Sequence, residues 1–142
     1  MKYGVTLKRI TNGEYTLLNH PGMREHPVSF LIWTLLPPDQ KVNFGDTGNR
    51  VIRKSAVFNV LAEEMRSPEA AWYAENICAS DRNSLWDIIF PVTTVEPALP
   101  EMTSRHFRTI DYVVMRSSFT DTETVTLACK AGRHTDPHHG HL

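Results

Sequence analysis

The spacing of apolar residues predicts helices over most of the first ninety positions. In residues 50–65 apolar side chains recur every three or four positions, which is the period of a helix with one buried face. Residues 24–36 are apolar enough for a largely buried helix. Pro27 fits only the first turn of that helix, and the pair that starts at Pro37 forms its end.

Capping residues and turn residues mark the ends of further predicted helices in this part of the chain. Residues 2–11 have apolar positions at helical spacing and end at an Asn-Gly pair, a common helix stop. Ser67 is a predicted N-cap with Pro68 at the first helical position, and the helix that follows is expected to reach about Ala79. A further short helix is predicted over residues 84–90.

The pattern changes after residue 90. Three prolines interrupt residues 91–110, which have no helical period and predict a connector. Residues 111–118 and 123–132 are rich in β-branched and aromatic side chains, and the segment between them carries turn residues, so a β-hairpin is expected. Helices followed by strands indicate an α+β fold. A lone hairpin leaves one face uncovered, so further strands are expected.

Composition limits the classes of partner. The 142 residues are 41% hydrophobic and 22% charged, as in a globular domain. Fifteen basic and sixteen acidic residues give a net charge of −1, so no overall field attracts nucleic acid. The sequence contains no run of about 18 apolar residues, so no membrane-spanning helix is predicted. The first ten residues contain no apolar signal-peptide core, which leaves secretion open. Cys78 and Cys129 could pair, but burial as free thiols is the expected state.

Three histidines stand close together in "TDPHHGHL", residues 135–142. If this segment is extended, His139 and His141 lie on one face about 6.6 Å apart along the strand, and His138 points the other way. Imidazoles at such a spacing can converge on zinc, although two ligands do not complete a tetrahedral site. A solvated terminus or a purification tag is the alternative.

Other candidate residues also have two interpretations. The loop "VNFGDTG" could bring Asn43 and Asp46 into a cleft, or it could simply connect helices. Arg116 could contact a ligand anion or cover the surface of the sheet. Tyr3 could act as an acid–base residue or could pack. Glu63 and the next glutamate lie near the end of a predicted helix, where the macrodipole disfavours carboxylates.

Three segments in this order resemble the heparinase II/III-like polysaccharide lyases: "VNFGDTG", "YVVMRSSFTDTETVTLACKAG" and "DPHHGHL". The resemblance covers nearly the whole chain, loosely in the helices and tightly from residue 111 to residue 142. The combination of "MRS", the later "KAG" and the final "HHGHL" is more specific than any one of these pieces.

The resemblance implies an architecture and a location. Residues 1–90 would be the last helices of an α/α toroid, 91–110 a connector, and 111–142 the first strands of an antiparallel β-sandwich. The active site would lie in the cleft between toroid and sandwich. The chain would then be an internal fragment with little activity by itself. A periplasmic, cell-envelope or secreted location is also implied, whereas the oligomeric state stays open.

The resemblance also assigns residues to roles. His139 would face the substrate and His141 would bind zinc, whose remaining ligands are expected beyond Leu142. Tyr3 falls near the position of the catalytic tyrosine of these enzymes. The upstream asparagine–histidine or histidine–glutamate pair of the family has no counterpart here.

The implied reaction is β-elimination on a polysaccharide that contains uronic acid. His139 would remove the C5 proton or neutralise the neighbouring carboxylate, and Tyr3 would act as the acid–base tyrosine. Arg116, Asn43 and Asp46 would contact the acidic polysaccharide. Two alternatives are a non-catalytic carbohydrate-binding protein of the same fold and an unrelated metal-dependent hydrolase. Which polysaccharide is used, and whether cleavage is internal or terminal, stays open.

Overall fold

The computed structural model describes residues 27–43, 48–79, 85–90, 92–108 and 111–131. In chain order the elements are the helix α1 (Pro27–Trp33), the strands β1 (Leu35–Leu36) and β2 (Gln40–Lys41), the helices α2 (Ser55–Met65), α3 (Pro68–Asn76) and α4 (Leu85–Ile89), and the strands β3 (Ser104–Phe107), β4 (Tyr112–Arg116) and β5 (Thr126–Lys130). All strand pairs are antiparallel. This mixture confirms the predicted α+β class.

The chain divides into two compact units, which are described separately. The described part of the helical unit lies mainly in Ile52–Leu99, and that of the strand unit in Phe30–Val51 and Pro100–Leu142. The sequence predicted one helical region over residues 1–90. In the structure Phe30–Val51 are grouped with the C-terminal strands.

Helices α2 and α3 form the core of the helical unit. The rings of Phe58 on α2 and Tyr73 on α3 stack with centroids 4.2 Å apart, and both side chains are buried. Burial raises the pKa of the Tyr73 phenol well above its usual range. The predicted boundary between the two helices is confirmed, since the Ser67 hydroxyl caps α3 by accepting the Ala70 N–H at 3.2 Å.

The strand unit contains a three-stranded sheet in the order β3-β4-β5. Strands β4 and β5 form the predicted hairpin, with Val114 opposite Ala128. Strand β3 falls inside the segment that the sequence predicted as an irregular connector. Phe107, the buried end of β3, packs edge-on against Phe30 with ring centroids 5.2 Å apart. This contact is distant in the chain, so the local pattern of residues could not reveal it.

Helix α1 ends three residues before the position that the sequence predicts. It ends at Trp33, and the next residues form β1, which pairs with β2 through Leu35 opposite Lys41. The Thr34 hydroxyl donates to the Phe30 carbonyl oxygen at 2.8 Å, which satisfies one of the last carbonyls of the helix. The peptide bond Pro37–Pro38 in the turn between β1 and β2 is cis.

The two faces of the three-stranded sheet differ in exposure. Val114 and Arg116 on β4 point to the buried face. On the opposite face Met115 is 47% exposed and Leu127, its partner across the strands, is 54% exposed. Cys129 is also exposed on this face. Within the described residues the β4–β5 part of this side is therefore an uncovered apolar surface, which we call the outer sheet face.

The two cysteines are free thiols in different surroundings. Cys78 is buried in the helical unit, where its thiol contacts the Ile52 carbonyl oxygen at 3.7 Å, and Cys129 is exposed. We expect one thiol per folded chain to react promptly with a chromogenic disulfide reagent and the second only after denaturant is added. The variant Cys129→Ser should lose the prompt phase. Two prompt thiols in the folded chain would contradict this assignment.

No helix within the described residues combines the length and the apolar composition that crossing a membrane requires.

Candidate functional site

Most of the residues that the sequence singled out lie outside the described residues. These are Tyr3, Asp46, His139 and His141. Asn43 and Arg116 are described, and both belong to the strand unit. Asn43 is exposed two residues after β2. Arg116, in contrast, is buried.

Arg116 is buried beneath the three-stranded sheet and is 4% exposed. Its Nη1 donates to the carbonyl oxygens of Ile32 at 3.3 Å and of Trp33 at 3.1 Å. Its Nε donates to the Ser118 carbonyl oxygen at 2.6 Å. The guanidinium carbon also lies 4.3 Å from the ring centroid of Phe119. Burial lowers the pKa of Arg116 to about 10.

These contacts give Arg116 a structural role. The carbonyls of Ile32 and Trp33 are at the C-terminal end of α1, where helical carbonyls have no partner within the helix and a cation is favourable. Arg116 therefore joins this helix end to strand β4. Its Nη2 atom is also enclosed and has no hydrogen-bond partner among the described residues. In this conformation the guanidinium faces backbone carbonyl oxygens, and its contact with a substrate anion stays a prediction.

A histidine and an aspartate lie close together on the surface at β3. His106 Nε2 lies 3.5 Å from Asp111 Oδ1, and both side chains are about half exposed. Two side chains do not make a zinc site, which needs three or four protein ligands. Within the described part of the chain, no three His, Cys, Asp or Glu side chains are placed to hold a metal ion together.

Glu63 makes contacts that the sequence did not predict. Its Oε1 atom accepts the Thr93 hydroxyl at 2.8 Å and the Thr94 backbone N–H. The backbone hydrogen bond from Thr94, and then the hydroxyl of Thr93, lower the pKa of the Glu63 carboxyl below its ordinary value. Residues 92–99 are thereby fastened to the end of α2. The macrodipole disfavours a carboxylate at the C-terminal end of a helix. Here two hydrogen-bond donors from a segment distant in sequence stabilise it.

This arrangement predicts a dependence of stability on pH. Because the folded state lowers the pKa of Glu63, its contribution is present above the ordinary pKa of 4.5 and is lost as pH falls through the lowered value. We expect Glu63→Gln to lower the urea midpoint at pH 7 and to differ less from the parent chain at about pH 3. Glu96→Gln, an exposed control in the same unit, should match the parent at both values. An equal loss at both values would contradict the role of the carboxylate.

The chain matches no protein-family model, no curated protein and no solved structure in searches of each.

Proposed function

We propose that the chain is part of a polysaccharide lyase that cleaves uronic-acid-containing polysaccharides by β-elimination. The observation that carries this proposal is the stretch "YVVMRSSFTDTETVTLACKAG", residues 112–132, which resembles the heparinase II/III-like lyases. Its described residues form the adjacent antiparallel strands β4 and β5.

Two features of the fold support the proposed architecture of toroid and sandwich. Helices precede the three-stranded sheet along the chain, as a toroid followed by a sandwich requires. The outer sheet face is apolar and uncovered in the described residues, and a sandwich buries such a face against a second sheet. In this proposal the outer sheet face is covered by further strands.

The proposed chemistry consumes no water. The C5 proton of a uronic acid is weakly acidic while the adjacent carboxylate is ionised, so the site has to neutralise that carboxylate. We assign His139 to removal of the C5 proton or to carboxylate neutralisation, and Tyr3 to return of a proton to the leaving glycosidic oxygen. Asn43, with Asp46, is retained as a substrate contact. Arg116 becomes a positioning residue, because its guanidinium bonds to backbone carbonyls.

In this proposal His141 is the residue that would bind zinc. Within the described part of the chain the side chains do not supply a ligand set for it.

The experiment is an assay for unsaturated product. The protein that the gene encodes, incubated with a panel of uronic-acid polysaccharides, should give a product that absorbs in the ultraviolet, and His139→Ala should abolish this signal. His106→Ala removes an exposed histidine of the described surface and should leave the rate unchanged. No ultraviolet signal with any polysaccharide would contradict the proposal. Saturable binding without turnover would favour the carbohydrate-binding alternative.

A further inference from the structure

The helical unit contains a cleft that the proposed lyase reaction does not use. Its volume is about 140 Å³, which is enough for a small functional group. Apolar side chains of Ala71, Val95 and Pro97 form part of the lining, and three polar side chains share it: Asn59, Glu75 and Thr93.

Asn59 lies on the buried side of α2 and is only 6% exposed. Its side chain makes no hydrogen bond to any described residue. In the described part, the fully enclosed polar atoms without a partner are those of Trp33, Arg116 and Thr126. Because the Asn59 amide is not one of them, its polar atoms reach the surface, and the surface that Asn59 lines is the cleft. A buried amide without a protein partner is unfavourable unless water or a ligand bonds to it.

The other two polar groups offer hydrogen-bond acceptors. The Thr93 hydroxyl donates its proton to Glu63 and accepts the Val95 N–H at 3.1 Å, which leaves one lone pair free. Glu75 is exposed and forms no ion pair within the described residues. A carboxylate has acceptors only.

The charge of the cleft favours a cation. Among the described residues that line it there is no lysine or arginine, whereas the carboxylate of Glu75 is present. Glu75 also lies in the last turn of α3, where the helix dipole adds negative potential. An anion would therefore be repelled, and a group that carries several N–H donors and a positive charge would be attracted.

We propose that this cleft binds the ammonium group of a small primary alkylamine. The Asn59 carbonyl, the Glu75 carboxylate and the Thr93 hydroxyl offer three acceptors, which matches the three N–H donors of a primary ammonium. The alkyl part lies against the apolar side of the cleft. None of the residues assigned to the lyase reaction lines the cleft. A negative result for ammonium binding would therefore not bear on the lyase proposal, and the reverse also holds.

The test is a titration of the ¹⁵N-labelled chain with n-butylammonium chloride, followed by NMR. We expect saturable shifts centred on Asn59 and Glu75, with a dissociation constant on the order of millimolar for so small a ligand. Tetramethylammonium has the charge without N–H donors, and n-butanol has the alkyl chain without the charge. Neither is expected to give saturable shifts at these residues.

Variants separate the contributions of the cleft residues. Asn59→Ala should weaken n-butylammonium binding about tenfold, as for the loss of a buried hydrogen bond, and Glu75→Gln about threefold or more. Glu96→Gln, an exposed carboxylate outside the cleft lining, should not change it. Glu75 is exposed, so Glu75→Gln is expected to fold even if Asn59→Ala does not. The proposal is overturned by the absence of saturable shifts, by equal binding of tetramethylammonium, or by a Glu75→Gln variant that binds as the parent does.

Discussion

Replacing Arg116 with alanine is expected to lower the free energy of unfolding by about 3–5 kcal/mol, a large share of the stability of an ordinary domain. The substitution removes hydrogen bonds to the carbonyl oxygens of Ile32, Trp33 and Ser118. These carbonyls then lose a charged donor in a place that water reaches poorly. The contact with the Phe119 ring is lost as well.

Urea denaturation followed by circular dichroism measures this effect. Arg105→Ala provides the matched control, because Arg105 lies on the adjacent strand with its guanidinium carbon 5.0 Å from the Phe107 ring centroid. It is half-buried and forms no hydrogen bond to a backbone carbonyl within the described residues. We expect a loss of about 0.5–1 kcal/mol from this control. Similar losses from both variants would show that the carbonyl contacts of Arg116 contribute little.

Replacing Phe58 with alanine should destabilise the chain by about 3–5 kcal/mol. Phe58 is 1% exposed and stacks on Tyr73, so its removal leaves a cavity between α2 and α3 and exposes apolar surface that helix packing now covers. Urea denaturation should show a lower midpoint for the variant than for the parent chain.

Ile88→Ala is the control for this second prediction. It also shortens an apolar side chain of the helical unit, but Ile88 is 79% exposed. We expect a change within about 0.5 kcal/mol, since exposed positions away from special contacts tolerate truncation. A loss at Ile88 comparable to that at Phe58 would mean that α4 is packed more closely than its exposure indicates.

The parts of the fold that the sequence predicted depend on local signals. Ser67 and Pro68 mark the start of α3 because an N-cap and a first-turn proline act within one helical turn. The strands β4 and β5 follow from β-branched residues on both sides of a turn. The start of α2 at Ser55 and the end of α1 at Trp33 were less well predicted, since helix ends depend on neighbouring segments.

The parts that the sequence did not predict depend on contacts between distant residues. Arg116 bonds to Ile32, 84 residues away, and nothing in the segment "VVMRSS" indicates that its guanidinium is buried. The bond between Glu63 and Thr93 spans 30 residues, and the role of Phe107 in β3 depends on Phe30. An arginine on a predicted strand has a charged tip that usually reaches solvent, so the sequence favoured surface or ligand contact.

The residues of the candidate site also differ in how far the sequence predicts their surroundings. Asn43 is exposed, and its contact with the substrate stays a prediction. Arg116 shows that residue type and strand position alone do not establish a substrate contact. The cleft beside Asn59 was missed because an asparagine within an apolar helical stripe carries no signal of the segment that packs across it.

The central claim is that the protein cleaves its polysaccharide by elimination, and product masses test it most directly. The protein that the gene encodes is incubated with a uronic-acid oligosaccharide in water enriched in ¹⁸O, and both fragments are weighed by mass spectrometry. Elimination predicts that the two masses add up to that of the substrate, with one unsaturated sugar and no ¹⁸O beyond the slow exchange at reducing ends, which a control without enzyme measures. Fragments that together exceed the substrate by one labelled water would show hydrolysis and contradict the account.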